Sequence, residues 1–227
     1  YKNCEIIVYD DNSTDNSLIK LKKYKNFKLV INKNKKKKSS PQNQILAIIN
    51  AFKKSKGKYI FLLDGDDYFK INKVSFIINN FNKNKNLKLI QDFPIKIKSK
   101  KKFFLKKKFN KNIWPSIIPT SSICVERKYF QYFLKYIQKN KFPNLEIDSR
   151  IVIYSFLKRK LSYTSKSLTY YREDTYGISS KYTKFSINWW KKRNEAFDYM
   201  HYLMKKLDIK KHSSPDFFMT KLINLFI

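Results

Sequence analysis

Three carboxylates, Asp64, Asp66 and Asp67, follow directly on the apolar run Tyr59-Ile60-Phe61-Leu62-Leu63. Carboxylates this close raise one another's proton affinity unless a cation or bound hydroxyls compensate them. A divalent ion holding a diphosphate is such a compensation, because hard cations prefer carboxylate and phosphate oxygens. The plain alternative is a solvated acidic turn. A second acidic pair, Asp10-Asp11, closes a second apolar run that starts at Glu5-Ile6-Ile7. The chain has 17 acidic side chains against 50 basic ones, and five of the acids end these two runs. Scattered surface charge does not gather so; one shared site does.

The elements that position these acids are legible from periodicity. A continuous apolar run bounded by Gly57 and Gly65 reads as a strand buried on both faces of a parallel sheet. In open α/β sheets the ligand crevice lies beyond the carboxyl ends of the strands, where both acidic groups fall. After Asp11, Ser13 is placed to cap a helix whose apolar positions are Leu18, Leu21 and Tyr24. Residues 27–31 form a further strand and 33–38 a basic loop. Pro41 opens a helix with Ile45, Ile48, Ile49 and Phe52 on one face, and Gly57 closes it. The order βαβαβ predicts a mostly parallel sheet with helices on its faces. Beyond Asp67 come a helix with Val74, Ile77, Ile78 and Phe81, a strand over 87–97, a buried helix over 151–157, strands over 161–171, and helix from Phe185 onward.

Composition excludes several classes. A hydrophobic content of 42% over 227 residues is enough for a substantial core. Cys4 and Cys124 are too few for a disulfide framework or a zinc site and read as buried free thiols in a reducing compartment. His201 and His212 have no partner at useful spacing, which excludes a Ser-His-Asp or Cys-His enzyme. No apolar run approaches the roughly 20 residues of a membrane span. The net charge of +33 suits nucleic acid or an anionic membrane surface. Codon drift in an AT-rich genome accounts for it as well, since Lys, Asn, Ile, Phe and Tyr crowd a chain with only three Gly and six Pro.

Residues 4–17, CEIIVYDDNSTDNS, resemble the donor-binding strand, turn and helix of family 2 glycosyltransferases, inverting enzymes of the GT-A fold. Asn43, Ala51, Gly57-Lys58-Tyr59-Ile60 and Leu63-Asp64-Gly65-Asp66-Asp67 fall where that family has N, A, G-x-Y-I and L-D-x-D-D. The resemblance is close over about 80 residues and looser afterwards. It implies an α/β, Rossmann-like GT-A domain over 1–180 with a helical extension over 181–227. It also implies that Asp10, Asp11, Asn43, Asp64 and Arg172 bind the donor, with Asp11 on the base and Asp64 near the ribose. Asp66, with Asp64, would hold Mn²⁺ or Mg²⁺ on the diphosphate. The family's acidic pair at a helix start corresponds to Asp148, which would be the general base. The preceding acid is displaced to Glu146, with Ile147 between.

There are departures. The family's opening strand and P-x-Y/F-N turn are absent, so the sequence, which begins at Tyr1, is expected to be a piece of a longer chain whose first strand lies upstream. Gln42 stands where Arg is common and Gln44 where Gly is common. Asp174 replaces the His of R-x-H, so the diphosphate contact is lost or passes to Arg172 or a later residue. Eight lysines between Lys96 and Lys108, interleaved with Phe103, Phe104 and Leu105, read as a solvated loop or a grip on an anionic lipid headgroup. Trp114 reads as a packed core residue or a sugar platform.

The function expected from all this is transfer of a sugar from a nucleotide-diphosphate sugar to a glycan or lipid-linked acceptor hydroxyl, in polysaccharide synthesis. The setting expected is the cytoplasm or the inner face of the membrane, with peripheral contact to anionic lipid and no nucleic-acid partner. The competing readings are a basic nucleic-acid-binding protein and an inactive transferase-like domain.

Overall fold

In the computed structural model the described residues are 3–32, 39–101, 115–173 and 177–227. The basic loop 33–38, Phe103, Phe104, Leu105, Trp114 and Asp174 lie outside them. The strands are β1 Ile7–Asp10, β2 Lys28–Ile31, β3 Tyr59–Phe61, β4 Tyr68–Phe69, β5 Leu89–Asp92, β6 Ile95–Lys96, β7 Ile123–Glu126, β8 Leu161–Thr164 and β9 Thr169–Tyr171. The helices are α1 Ser17–Leu21, α2 Ser40–Lys54, α3 Lys73–Lys83, α4 Arg127–Leu134, α5 Ile147–Leu157, α6 Ile187–Lys206 and α7 Pro215–Ile223.

The expected α/β architecture is present, but its pairing is more mixed than the βαβαβ order predicts. Among the described residues β1 pairs only with β2, in parallel. A second sheet runs β3-β7-β5-β8, antiparallel at its first two pairings and parallel at the third. A third, β4-β9-β6, stands beside it. Among the described residues β3 therefore pairs on one side only, and it is half-buried and not buried on both faces. The expectation failed because apolar length reports burial, whereas the neighbour across the ladder is chosen by the rest of the fold. At their starts β1 and β3 are tied through Glu5, whose Oε1 accepts the Gly57 amide at 2.7 Å and the Lys56 amide as well.

One core joins the β3–β8 sheet to the helices. Leu89, Ile123 and Val125 pack with Phe130 and Phe133 of α4, with Ile151 and Val152 of α5, and with Phe197, Met200 and Leu203 of α6. The C-terminal helices are thus continuous with the core of the sheet. Three local expectations change. Cys4 is exposed, while Cys124 is buried as expected. α1 starts at Ser17 after Asn16, and Ser13 instead gives its amide to Asp10. α2 ends at Lys54 with Ser55 as its C-cap, two residues before Gly57. Among the described residues no helix is long and apolar enough to cross a membrane.

Candidate active site

The turn after β3 carries the acid cluster. The Asp67 amide donates to the Asp64 carbonyl at 3.2 Å, and the Asp64 amide to Ser121 Oγ at 2.9 Å. Ser121 also helps to hold the Asp67 carboxylate, whose Oδ1 accepts the Arg172 amide at 2.8 Å. Burial and then the neighbouring charges of Asp67 and Asp66 push the Asp64 carboxyl up to about 6. Burial raises Asp67 too. Its Oδ2 is buried without a partner among the described residues. Asp66 is exposed at the rim.

Beneath this turn lies a buried ion pair. Lys73 of α3, fully buried, donates to Asp92 Oδ1 at 2.8 Å, to the Ser121 carbonyl at 2.7 Å and to Thr169 Oγ1 at 2.6 Å. Asp92 in turn accepts the Leu168 amide and the Thr169 hydroxyl, both at 2.9 Å. One ammonium thus joins α3, the end of β5, the segment before β7 and the start of β9. The sequence reading missed it, since a lysine among apolar helix neighbours reads by default as solvated.

α2 meets the cluster from a second side. Gln44 donates from Nε2 to Thr120 Oγ1 at 3.2 Å and, more weakly, to Asp64 Oδ1 at 3.5 Å. Asn43 lies beside it in the first turn, half-buried. Ser39 caps this helix in a capping box with Gln42, and its hydroxyl donates to the Pro143 carbonyl at 2.6 Å. The signal was readable as Ser39-Ser40-Pro41-Gln42, an S-x-x-Q signature.

Asp148 is half-buried in the first turn of α5. Its carboxyl is held well above the usual range by burial first, then by the nearby charge of Glu146; Lys192 opposes these, and Asp64 adds to them. The start of α2 reaches both regions, Gln44 to Asp64 and Ser39 to the Pro143 carbonyl ahead of α5. Three supports fix the α5 start. Lys192 of α6 donates to Glu146 Oε1 at 2.6 Å. Arg150, fully buried, donates to the carbonyls of Ile137, Gln138, Lys141, Phe142 and Leu145. Arg150 thereby satisfies a loop that would otherwise bury bare carbonyls. Glu195 of α6 accepts the Asn144 amide at 2.8 Å and its side-chain nitrogen at 2.6 Å. Lys192, Glu195 and Arg150 all escaped the sequence reading; the first two lie on a helix whose sequence resembled nothing specific.

The remaining expected residues sit at the end of β1 and after β9. Asp10 is buried and accepts the Ser13 amide at 3.1 Å. Asp11 is exposed and accepts from Asn32 Nδ2 at 2.7 Å. Arg172 is exposed, with its backbone on Asp67. No contact joins Asp10 or Asp11 to the Asp64 turn in the bonds above.

Among the described residues no three acidic, His or Cys side chains converge on one point. Asp64 and Asp66 are the carboxylates of this turn that could take a hard divalent ion, with phosphate oxygens and water completing its shell. The charge left uncompensated on Asp64 and Asp67 is what that ion would neutralise.

Comparison with known proteins bears on family and fold. The family described as Glycosyl transferase family 2 matches residues 1–165. An Escherichia coli UDP-Glc:alpha-D-GlcNAc-diphosphoundecaprenol beta-1,3-glucosyltransferase, WfaP, is 39% identical over 75 residues, 33% of this chain and 28% of that protein. The crystal structure of S. aureus TarS superposes with a TM-score of 0.58 at 13% identity, covering 86% of this chain and 33% of that one. A mannosyltransferase from Pyrobaculum calidifontis, in complex with GDP-Man and Mn²⁺, superposes with a TM-score of 0.51 at 12% identity, covering 94% of this chain and 57% of its own. The chain thus spans roughly three-tenths of the length of the glucosyltransferase and a third of TarS.

Proposed function

The chain belongs to glycosyl transferase family 2, and from that premise we propose that it moves a sugar from a nucleotide-diphosphate sugar to an acceptor hydroxyl with inversion. The observation that supports the proposal is that the start of α2 reaches both acidic regions, through Gln44 to Asp64 at the strand end and through Ser39 to Pro143 in the loop ahead of Asp148. Residues 1–180 form the transfer domain in this reading, and 181–227 a helical extension whose Lys192 and Glu195 brace the α5 start.

Asp148 is the general base. It takes the proton from the acceptor hydroxyl as that oxygen attacks the anomeric carbon on the face opposite the leaving diphosphate. A base is most effective when its pKa lies near the working pH, and burial beside Glu146 moves Asp148 in that direction. The displacement is single, so no covalent sugar intermediate forms. Asp10, Asp11 and Asn43 bind the nucleoside end of the donor, and Asp64 lies at the ribose. Arg172 offers a cation to the diphosphate. Asp66 with Asp64 would hold Mn²⁺ or Mg²⁺, which supplies charge neutralisation to the departing diphosphate.

The support for a lipid-linked glycan acceptor is the undecaprenol-linked substrate in the name of the glucosyltransferase relative. The cytoplasmic side of a membrane, touched peripherally, is the corresponding setting. The proposal is tested by incubating the full-length protein with UDP- and GDP-sugars and a diphospho-lipid acceptor, and following acceptor-dependent release of nucleoside diphosphate. Release that requires acceptor and is lost in Asp148→Asn supports the reading; no release with any donor in the presence of Mn²⁺ or Mg²⁺ refutes it.

A further inference from the structure

The acid turn from Asp64 to Asp67 is held at three points, and each of them leads to Lys73. At its entry the Asp64 amide donates to Ser121 Oγ at 2.9 Å, and the Ser121 carbonyl accepts from Lys73 Nζ at 2.7 Å. At its exit β4 pairs with β9, Tyr68 opposite Tyr170, and the Lys73 ammonium lies 4.0 Å over the Phe69 ring. At the third point Asp67 Oδ1 accepts the amide of Arg172, the residue directly after β9. β9 itself begins at Thr169, whose Oγ1 accepts from Lys73 and donates to Asp92. Every support of the turn therefore has the same ammonium behind it.

Stability gives little account of this arrangement. The Lys73 and Asp92 side chains are both fully buried, and the desolvation of a buried ion pair can exceed the attraction it returns. An apolar pair of similar volume would hold α3 against β5 at least as well. What the ions add is direction. An ammonium carries three protons, and here three oxygens meet them: Asp92 Oδ1, the Ser121 carbonyl and Thr169 Oγ1. Fully buried, Lys73 is out of reach of any substrate and can act only through these partners. We propose that Lys73, paired with Asp92, is a positioning residue for donor binding, which through Ser121 and β9 sets the geometry of the turn that presents Asp64 and Asp66 to the metal–diphosphate unit.

The proposal rests on the reading of this turn given above, and the test separates the two. Full-length protein is titrated with UDP and with GDP in a calorimeter, in Mn²⁺ and in EDTA. Lys73→Met with Asp92→Leu removes both charges at similar volume, so its thermal transition should stay near the parent's. The gain in nucleotide affinity that Mn²⁺ gives should nevertheless shrink about ten- to a hundredfold, as expected when binding groups move by about an ångström. Affinity in EDTA should change much less, which a general loss of structure would not spare. Ser121→Ala should shrink the same gain, and adding it to the neutral pair should cost little more, because both act through one residue. Thr169→Val keeps both charges and should lose part of the gain; with Ser121→Ala it decides the matter if the neutral pair does not fold. A gain unchanged in folded variants overturns the proposal alone and leaves the ion pair a strut. Losses that simply add overturn it too, by giving Ser121 a separate role. A parent that binds neither nucleotide overturns the reading of the site and this proposal together.

Discussion

Lys192 Nζ lies 2.6 Å from Glu146 Oε1, so a helix beyond the family-matched residues places a cation two residues before Asp148. That cation opposes the burial and the Glu146 charge that raise the Asp148 carboxyl. Removing it in Lys192→Met should carry the acid limb of the pH–rate profile to higher pH, while Lys192→Arg should keep it in place. Leaving Glu146 unpaired should also cost about 1–3 kcal/mol, less than a fully buried pair because the lysine keeps some exposure. A pH–rate profile that does not move would show that Lys192 is a strut only.

Asp148→Asn separates catalysis from stability. Loss of a general base should lower transfer roughly 10²–10⁴-fold. Folding should respond in the opposite sense. The folded Asp148 carboxyl binds its proton more tightly than the ordinary value of 3.8. Ionising it therefore costs stability, and the cost grows as pH rises from the ordinary carboxylate range through the raised folded value. The Asn variant should unfold about 1–3 kcal/mol harder than the parent at pH 8, discounted for its partial exposure. That difference should vanish near pH 3. Urea unfolding at the two pH values measures it, and a destabilised Asn variant at pH 8 would contradict the assigned environment.

Metal dependence should follow the Asp64 turn. Calorimetry should find nucleoside diphosphate bound far better with Mn²⁺ than with EDTA, and Asp66→Ala should abolish the difference. Because a proton on Asp64, whose carboxyl is pushed up to about 6, competes with the ion, affinity should fall as pH drops through that value. Equal affinity with and without metal would reject the site.

Lys73→Met leaves Asp92 buried and uncompensated, and should cost about 3–5 kcal/mol. The paired change Lys73→Met with Asp92→Leu removes both charges and should recover much of that loss. Denaturant midpoints across the four-member cycle give the coupling. A double variant no better than the single one would mean that the Ser121 and Thr169 bonds, rather than the charge pair, carry the interaction.

What the sequence disclosed was set by how locally each feature is encoded. The Asp64 turn was legible because an apolar run followed by acids is written in consecutive residues, whereas Asp148 was singled out through the family resemblance and the structure puts it in the first turn of α5. The antiparallel placing of β3 against β7 was not, since Tyr59 opposite Glu126 is a choice made by the intervening chain. Lys73, Arg150 and Lys192 share a different reason for escape. A basic residue in a chain with 50 of them has no local mark of burial. Only the partners that converge on it, five carbonyls for Arg150, distinguish it from a solvated neighbour.

The bond from Ser39 Oγ to the Pro143 carbonyl has a mechanical meaning. It couples the cap of α2 to the loop that Arg150 stiffens, so the helix starts bearing Gln44 and Asp148 are hinged together and not apart. Opening the site by swinging α2 away from α5 would break that bond, while the cap that Ser39 makes with the Gln42 amide would travel with α2. Traffic of substrate and product is therefore expected to pass by movement of other segments, with these two helix starts as a fixed jaw. Amide hydrogen exchange at Asn43 and Arg150 should accordingly show similar protection that falls together in Ser39→Ala; independent exchange at the two would show that the jaw is not one body.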